Sequence, residues 1–258
     1  MDNTNAPWTV SRDDFDLANV ISLRQGRRLC AIIPAKNEAA TIGAVIDSVR
    51  SHKGFVDEVF VVNDHSHDDT HSVSVRHGAR VIELDGATGK GEALAAGVAA
   101  TTCDVVVFLD ADVIDPSADY VARMVQPLFE RPEIQLVKGY YERPLKNMPT
   151  GGGRVNELAA RPILSLLYPD LAEIRQPLAG ESALRRDTLD ALNLERGYGV
   201  EIALLIDVAL KFGRSSLAQV DLGVRRHRNR PLEELRPMAV EILRVALTRF
   251  DVELPVGT

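Results

Sequence analysis

Two aspartates separated by a single residue, Asp110 and Asp112, follow an apolar run, Asp104–Leu109, that is typical of a buried strand. Hard divalent cations prefer oxygen ligands and often keep phosphate oxygens in their coordination shell. The pattern therefore predicts a cation held against a diphosphate at the end of a strand. The alternative is an ordinary turn, in which the aspartate side chains bond nearby backbone amides.

Polar residues also follow two earlier apolar runs. Residues 34–38 (Pro-Ala-Lys-Asn-Glu) come directly after the first of these runs. Backbone groups there, together with Glu38, can bond a base and a ribose, although Glu38 also suits the N-terminus of a following helix. Asp64 comes after the second run and is predicted to contact the same nucleoside.

The segment 63–71 contains three histidines and three aspartates, which suggests a metal cluster at first sight. Their spacing matches no zinc-binding pattern, so we reject that interpretation. Asp68 and Asp69 are instead expected to cap the helix that follows. The histidines are expected to be exposed or locally bonded.

Three further sites carry residues suited to anions or sugars. Lys90 lies between two glycines at a helix start, which suits either a phosphate contact or a plain flexible turn. The phosphate contact is favoured only when the other motifs are considered as well. Gly151-Gly152-Gly153 precedes Arg154, so backbone amides and a guanidinium can hold an anionic acceptor, unless the glycines are a hinge. Glu201 begins a helix and can bind a sugar hydroxyl or complement the helix N-terminus.

His227 belongs to a basic run, residues 225–230, which by itself would be interpreted as a solvated charged surface. A neutral imidazole can complete a metal site that two carboxylates begin. The predicted cation needs another ligand, and this need favours His227.

Strand and helix patterns alternate with short loops from residue 29 onwards, which predicts an α/β fold with a mostly parallel central sheet flanked by helices. Strands are predicted at 29–33, 58–62, 80–84, 104–109, 134–137 and 216–222, and helices at 12–23, 41–49, 69–77, 91–100, 118–129, 154–167, 200–212 and 232–250. Pro34 is expected to end the first strand, because proline donates no ladder hydrogen bond. The polar loops after the strands should meet at one sheet edge.

We expect an N-terminal arm over residues 1–27 and a single domain over 28–258, with a nucleotide-sugar half (28–140) and an acceptor half (141–258). The chain has 258 residues, 45% of them hydrophobic, and a net charge of −7, so it has no general attraction to nucleic acid or acidic membranes. No run reaches the roughly 20 apolar residues of a membrane span. The two cysteines, Cys30 and Cys103, are expected to be buried and reduced, and the location cytoplasmic.

Seven blocks in order resemble the glucosyl-3-phosphoglycerate synthases of actinobacteria, which are retaining glycosyltransferases of the GT-A (Rossmann-like) fold. The blocks are PAKNE (34–38), GKGEAL (89–94), FLDADVIDP (108–116), QLVKGYYERPL (135–145), GGGRVNELAARP (151–162), YGVEIALLID (198–207) and VDLGVRRHRNRPLEEL (220–235). The resemblance covers about residues 8 to 250. The fifth and seventh blocks are far more specific than the paired aspartates.

The resemblance implies transfer of glucose from a UDP-sugar to 3-phosphoglycerate with Mg²⁺ or Mn²⁺. It also implies a homodimer, which is usual in that family. It places these residues at the donor: Pro34, Ala35, Lys36, Glu38, Asp64, Lys90, Asp110, Ala111, Asp112 and Gly180. It places these at the acceptor: Gly152, Gly153, Arg154, Val155, Asn156, Asn229 and Arg230. Asp112 and His227 would hold the metal, and Asp112, Glu201 and Lys90 would serve the reaction.

This chain departs from the family pattern at several positions. The family usually has Leu where Lys36 stands, Ser where Ala111 stands and Thr where Asn156 stands. Lys36 bears on the nucleotide preference, and Asn156 and a shortened loop before Gly151 bear on the acceptor. Three alternatives follow: a different donor sugar or anionic or polyol acceptor, a nucleotidyltransferase, and a non-catalytic nucleotide-binding regulator.

Overall fold

The computed structural model describes residues 7–142, 144–145, 148–151, 153–227 and 231–251. The strands are β1 (Trp8–Val10), β2 (Leu29–Ala35), β3 (Glu58–Asn63), β4 (Arg80–Glu83), β5 (Val105–Phe108), β6 (Val113–Ile114), β7 (Leu136–Glu142), β8 (Pro144–Leu145), β9 (Met148–Gly151), β10 (Ser182–Arg185), β11 (Leu217–Val224) and β12 (Arg226–His227). The α-helices are α1 (Leu17–Leu23), α2 (Ile42–Arg50), α3 (Thr70–Arg76), α4 (Lys90–Ala99), α5 (Tyr120–Glu130), α6 (Arg161–Leu167), α7 (Arg186–Asp190), α8 (Val200–Phe212) and α9 (Leu232–Arg249).

Within the described residues, an eight-stranded sheet has the order β1-β11-β7-β10-β5-β2-β3-β4. Only β10 of these strands is antiparallel to its neighbours, β5 and β7, while the other pairs are parallel. The predicted mostly parallel sheet is therefore confirmed. The sequence patterns identified β2 to β5, β7 and β11 but missed β10, because its four residues carry no periodicity that separates them from a loop.

Helices cover both faces of the sheet, as a parallel sheet requires. On β2, Leu29, Ala31 and Ile33 face one buried cluster, which α1, α2 and α5 complete. Cys30 and Ile32 face the other cluster, to which α4, α6, α8 and α9 contribute. This alternation follows from the two-residue period of a strand, so a continuous apolar run serves both layers.

Pro34 does not end β2, which continues to Ala35. The hydrogen bonds between β2 and β5 end before Pro34. The last of them is donated by Leu109 N to Ile32 O at 3.1 Å. Ala35 O, on the β3 side, accepts from Asp64 N at 2.8 Å. The nitrogen of Pro34 faces the side of β2 on which no partner strand remains, so the lack of an N–H there costs no hydrogen bond. The expectation that Pro34 ends the strand was therefore wrong.

The predicted loose arm over residues 1–27 needs correction from Trp8 onwards. β1 extends the sheet by pairing with Ala218–Val220 of β11, and α1 buries Val20. The predicted helix at 12–23 begins only at Leu17, because Asp16 caps it by accepting from the Ala18 and Asn19 amides. These residues belong to the domain. The proposed division of the remainder at residue 140 stays a prediction.

Two helix starts differ in detail from expectation. Asp68 accepts from Thr70 N at 3.0 Å and so stabilises the first turn of α3, as predicted. Asp69 occupies the N-cap position but forms no capping bond with its side chain. The predicted helix at 154–167 contains a π-helical segment, Asn156–Ala160, before α6, and such segments are frequent at functional sites.

The close approach of α4 to β2 depends on Gly97, since a Cβ there would overlap the Ile32 side chain. We expect Gly97→Val to lower the free energy of unfolding by about 3 kcal/mol, because the helix must move off the sheet. Ala95→Val, on the exposed face of the same helix, should cost only about 0.5 kcal/mol of helix propensity. Urea denaturation measures both, and equal losses would contradict the packing argument.

Candidate active site

A cavity of about 380 Å³ opens at the carboxyl ends of β2, β3 and β5, where ligands bind in such folds. Its walls come from the loops after these strands and from α4, α8 and α9. The lining residues are Pro34, Ala35, Lys36, Asn37, Glu38, Asp64, Gly89, Lys90, Ala93, Asp110, Ala111, Asp112, Leu178, Tyr198, Glu201, Glu234, Met238 and Ile242. The structure thus brings together every described donor-site residue predicted from the sequence except Gly180, which lies directly behind Asp110.

Lys90 is the electrostatic centre of the cavity. Its Nζ atom lies 2.6 Å from Asp110 Oδ1 and 2.5 Å from Glu201 Oε1, and its side chain is 19% exposed. Burial alone would lower the pKa of Lys90, but the charges of Asp110 and Glu201 and their hydrogen bonds raise it well above its ordinary value. The ammonium group is therefore permanently charged and faces the point where a diphosphate would lie.

Glycines let the chain bring Lys90 to this place. A Cβ on Gly91 would overlap the Glu195 carbonyl oxygen, and Gly89 has a φ of +149°. Glu92 Oε2 accepts from Gly197 N at 2.9 Å and ties the start of α4 to the segment before α8. The glycine–lysine–glycine pattern is thus explained by close packing as well as by phosphate binding.

Asp64 anchors a second polar group at the other end of the cavity. Its Oδ1 accepts from Thr88 Oγ1 at 2.5 Å, and its Oδ2 lies 3.6 Å from Lys36 Nζ. Burial would raise the pKa of Asp64, but bonds with Thr88 and His65 and the charge of Lys36 lower it below its ordinary value. Asp64 is therefore an ionised acceptor that can receive a base or ribose donor.

The loop after β2 is fixed to the loop after β3 by its backbone. Asn37 N donates to Ser66 Oγ at 2.9 Å, and Glu38 N donates to Thr70 Oγ1 at 2.9 Å. Asn37 adopts a left-handed φ of +56°, which asparagine tolerates better than most residues. These contacts hold the predicted nucleoside-binding loop in one conformation.

The pairing of two short strands shows where the backbone of the predicted metal ligands lies. β12 pairs with β6 so that His227 stands opposite Val113, the residue after Asp112. Among the described residues no cluster of three or more His, Cys, Asp or Glu side chains could hold an ion alone. Mg²⁺ needs only one or two protein ligands when phosphates and waters supply the rest, so the oxygen donors here fit it.

Behind the cavity the structure places charged groups that the sequence did not identify as functional. Glu181 and Arg225 form a fully buried ion pair, and a Cβ on Gly180 would overlap the Asp110 carboxylate. Lys138 is also buried. Apolar strand patterns gave no signal for these residues, because they become neighbours only when β10 enters between β5 and β7.

The predicted acceptor residues that the structure describes lie at the start of the helix after β9. Gly153 has a left-handed φ of +70°, and Arg154 and Val155 open the helix that follows. Asn156 Oδ1 accepts from Leu178 N at 3.4 Å, which links this helix to a cavity-lining residue. Three of the predicted acceptor residues fall outside the described part of the chain, namely Gly152, Asn229 and Arg230.

Several lining residues were missed from the sequence. Asn37 and Gly89 stand inside motifs that had been recognised, so their neighbours could have indicated them. Ala93, Leu178, Tyr198, Glu234, Met238 and Ile242 also line the cavity. The three on α9 share one helix face at spacings of four, but that spacing equally predicts core packing.

Comparisons with known proteins agree on one group. The family model described as glycosyl transferase family 2 matches residues 30–162. Glucosyl-3-phosphoglycerate synthase of Mycobacterium tuberculosis H37Rv is 44% identical over 259 residues, covering 95% of this chain and 80% of the relative. The corresponding protein of Petrotoga mobilis is 41% identical over 243 residues, covering 88% and 75%.

Solved structures give the same result. The M. tuberculosis synthase in complex with Mn²⁺, UDP-glucose and phosphoglyceric acid superposes with a TM-score of 0.89 at 42% identity, covering 96% of this chain and 89% of that one. The same enzyme with Mg²⁺ and UDP gives a TM-score of 0.89 at 42% identity, covering 96% and 88%.

Removal of Lys90 tests the central ion pairs. Lys90→Met leaves two carboxylates close together in the cavity wall, so we expect a loss of about 3 kcal/mol in the free energy of unfolding at pH 7. Acid should relieve this repulsion by neutralising negative charge, so the variant should recover stability relative to wild type as the pH falls from 7 towards 4.

The exposed Lys53 provides the control, since Lys53→Met should stay within about 0.5 kcal/mol of wild type. Urea denaturation at several pH values measures all three proteins. A pH-independent difference for Lys90→Met would show that the carboxylates do not depend on its charge.

Proposed function

We propose, from the premise that the chain belongs to glycosyl transferase family 2 and to its glucosyl-3-phosphoglycerate synthases, that it transfers glucose from UDP-glucose to 3-phosphoglycerate. Mg²⁺ or Mn²⁺ is the cofactor, and the anomeric configuration is retained. The observation that carries the proposal is the Lys90 ammonium held between Asp110 and Glu201 in the cavity at the strand ends.

The order of the strands sets the position of the donor. β5, β2 and β3 are neighbours in that order, at about 5 Å per strand. The diphosphate would lie at Asp110 and Asp112 after β5, the ribose over Pro34 to Glu38 after β2, and the base near Asp64 after β3. This layout accounts for the full set of polar loops that the sequence placed after the strands.

The charge that develops on the departing diphosphate is the main obstacle in such a transfer. Asp112 and His227 would hold the divalent cation, which when bound supplies charge neutralisation to the diphosphate. Lys90 adds a fixed positive charge that needs no reorganisation as the bond breaks. Glu201, already bonded to Lys90, is positioned to accept a hydroxyl hydrogen of the glucose ring.

The acceptor is proposed to bind at the start of the helix that contains Arg154. The guanidinium and the glycine-loop amides would hold a phosphate or carboxylate and orient the hydroxyl that attacks. For the retained configuration we propose attack on the face from which the diphosphate leaves. The hydroxyl proton then passes to the leaving phosphate oxygen while the new C–O bond forms.

Lys36 gives a specific reason to test a second donor. Its Nζ atom lies 3.6 Å from Asp64 and 3.1 Å from Thr88 Oγ1, at the end of the cavity assigned to the base. A donor and an acceptor side by side can match the edge of guanine as well as that of uracil. GDP-glucose is therefore the appropriate competitor in any donor comparison.

A homodimer is also proposed. Leu158 and Leu166 lie on the helix after the glycine loop and are 78% and 77% exposed, which favours burial against a second copy.

No helix in the described ranges is long and apolar enough to cross a membrane. The two free cysteines, both buried, support the proposed cytoplasmic location.

The Asp112→Asn variant tests the reaction and its metal ligand together. Wild type with UDP-glucose, 3-phosphoglycerate and Mg²⁺ should release UDP and form a glucosylated product, both measured by NMR. Asp112→Asn should lower kcat/KM at least a hundredfold, or about 3 kcal/mol in the transition state. Release of pyrophosphate would instead identify a nucleotidyltransferase, and UDP binding without turnover a regulator.

Asp115→Asn is the matched control, because Asp115 is exposed and its left-handed φ of +55° is tolerated by asparagine. It should react at the wild-type rate. Calorimetry adds an independent measurement, in which chelator should weaken UDP binding to wild type. Full turnover by Asp112→Asn would remove the aspartate from the metal site.

Arg154→Ala tests the acceptor position. Loss of a charge-assisted contact should raise the KM for 3-phosphoglycerate ten- to a hundredfold, equivalent to about 1.5–3 kcal/mol, while the donor KM stays nearly constant. Arg161→Ala removes the same side chain from a pair with Glu157 further along the helix and should leave both constants unchanged. An equal rise in both KM values for Arg154→Ala would contradict its assignment to the acceptor.

A further inference from the structure

Lys138 is a buried cation that the proposed reaction does not use. It belongs to β7, is 1% exposed, and lies between β10 and β11 in the sheet. Its Nζ atom donates to Ala179 O at 2.5 Å and to Ser182 Oγ at 3.0 Å. A lysine is rarely buried without a structural or functional reason, because desolvating its charge costs several kcal/mol.

The segment that Lys138 holds, residues 178–182, forms the back wall of the donor site. Leu178 lines the cavity, and Gly180 packs directly against the Asp110 carboxylate. Glu181 O accepts from Gly139 N at 2.9 Å, so the backbone of β7 is also hydrogen-bonded to the segment. Any shift of this segment would move the surface against which Asp110 rests.

Glu181 links the same segment to Arg225. Its carboxylate pairs with Arg225 in a fully buried position, and Arg225 immediately precedes β12, which contains His227. The 178–182 segment therefore contacts Asp110 through Gly180 and the residue before β12 through Glu181.

The segment lies among charged side chains. Lys90 is bonded to Asp110 and Glu201, and Glu181 pairs with Arg225. Burial lowers the pKa of Lys138 to about 8, while the charges of Glu201 and Glu181 oppose this change. The amine of Lys138 is therefore largely protonated at neutral pH when it donates to the segment.

We propose that Lys138 is a positioning residue of the donor site, which holds the 178–182 segment against Asp110 through its bonds to Ala179 and Ser182. The proposal rests on the proposed function only in assigning the cavity to a nucleotide-diphosphate donor. It assigns no role to Lys138 at the acceptor. A change at Lys138 should therefore affect donor binding and leave acceptor binding unchanged.

The Lys138→Met variant tests this directly, because methionine keeps an unbranched chain but carries neither charge nor donor. We expect the Kd for UDP in the presence of Mg²⁺, measured by calorimetry, to rise at least tenfold. The KM for UDP-glucose should rise in parallel, while the KM for 3-phosphoglycerate stays within twofold. A merely structural role would weaken both substrates alike or neither.

Two further variants keep the test decisive if Lys138→Met folds poorly. Ser182→Ala removes one bond of the Lys138 amine but keeps the charge, and should raise the UDP Kd by a smaller factor, about threefold. Leu136 lies on the same strand and the same face as Lys138, two residues before it, and Leu136→Val should leave UDP binding unchanged. Wild-type UDP affinity in both Lys138→Met and Ser182→Ala would overturn the proposal.

Failure of the inference and failure of the proposed function are distinguishable. If wild type binds UDP but does not turn over UDP-glucose with 3-phosphoglycerate, the function is wrong and the binding comparison still decides the role of Lys138. If wild type turns over normally and the Lys138 variants bind UDP as wild type does, only the inference is wrong.

Discussion

The ammonium group of Lys90, bonded to Asp110 and Glu201, is the interaction on which the site depends. It joins three elements that are far apart in the sequence, namely the start of α4, the loop after β5 and the start of α8. Two carboxylates this close would repel each other without a cation between them. In the proposed reaction the same charge would act on the diphosphate, so the group that stabilises the apposed elements would also stabilise the leaving group.

The order of the strands places further polar loops beside the Lys90 ion pairs. Since β5, β2 and β3 are adjacent and parallel, their polar loops meet at one edge and follow one another at the spacing of the strands. Within the described eight-stranded sheet, β10 is the strand that runs antiparallel to its neighbours; it enters between β5 and β7 and brings the 178–182 segment against Asp110. The donor site therefore has a front made of loops and a back made of buried charges.

Much of the fold and of the front of the site was predictable from the sequence. Alternating apolar runs gave β2 to β5 and the helices between them, because each run is long enough to show a period. Asp112 and Asp64 were predicted because polar residues directly after strands must lie at the carboxyl edge, and Lys90 because it stands between two glycines at a helix start. The resemblance supplied the predicted acceptor residues, of which Gly153, Arg154, Val155 and Asn156 fall within the described chain, and Asn156 is bonded to the lining residue Leu178.

The sequence by itself thus determined the order of the elements, the layers that bury them and the residues that follow each strand, since these depend on local periodicity and connectivity. Only the tertiary structure decided that Lys138 bonds Ala179 and Ser182, that Glu181 meets Arg225 and that Pro34 continues its strand. Those relations depend on which strands become neighbours, and in particular on β10. Strand pairing depends on packing across the whole sheet, and no short segment of the chain encodes it.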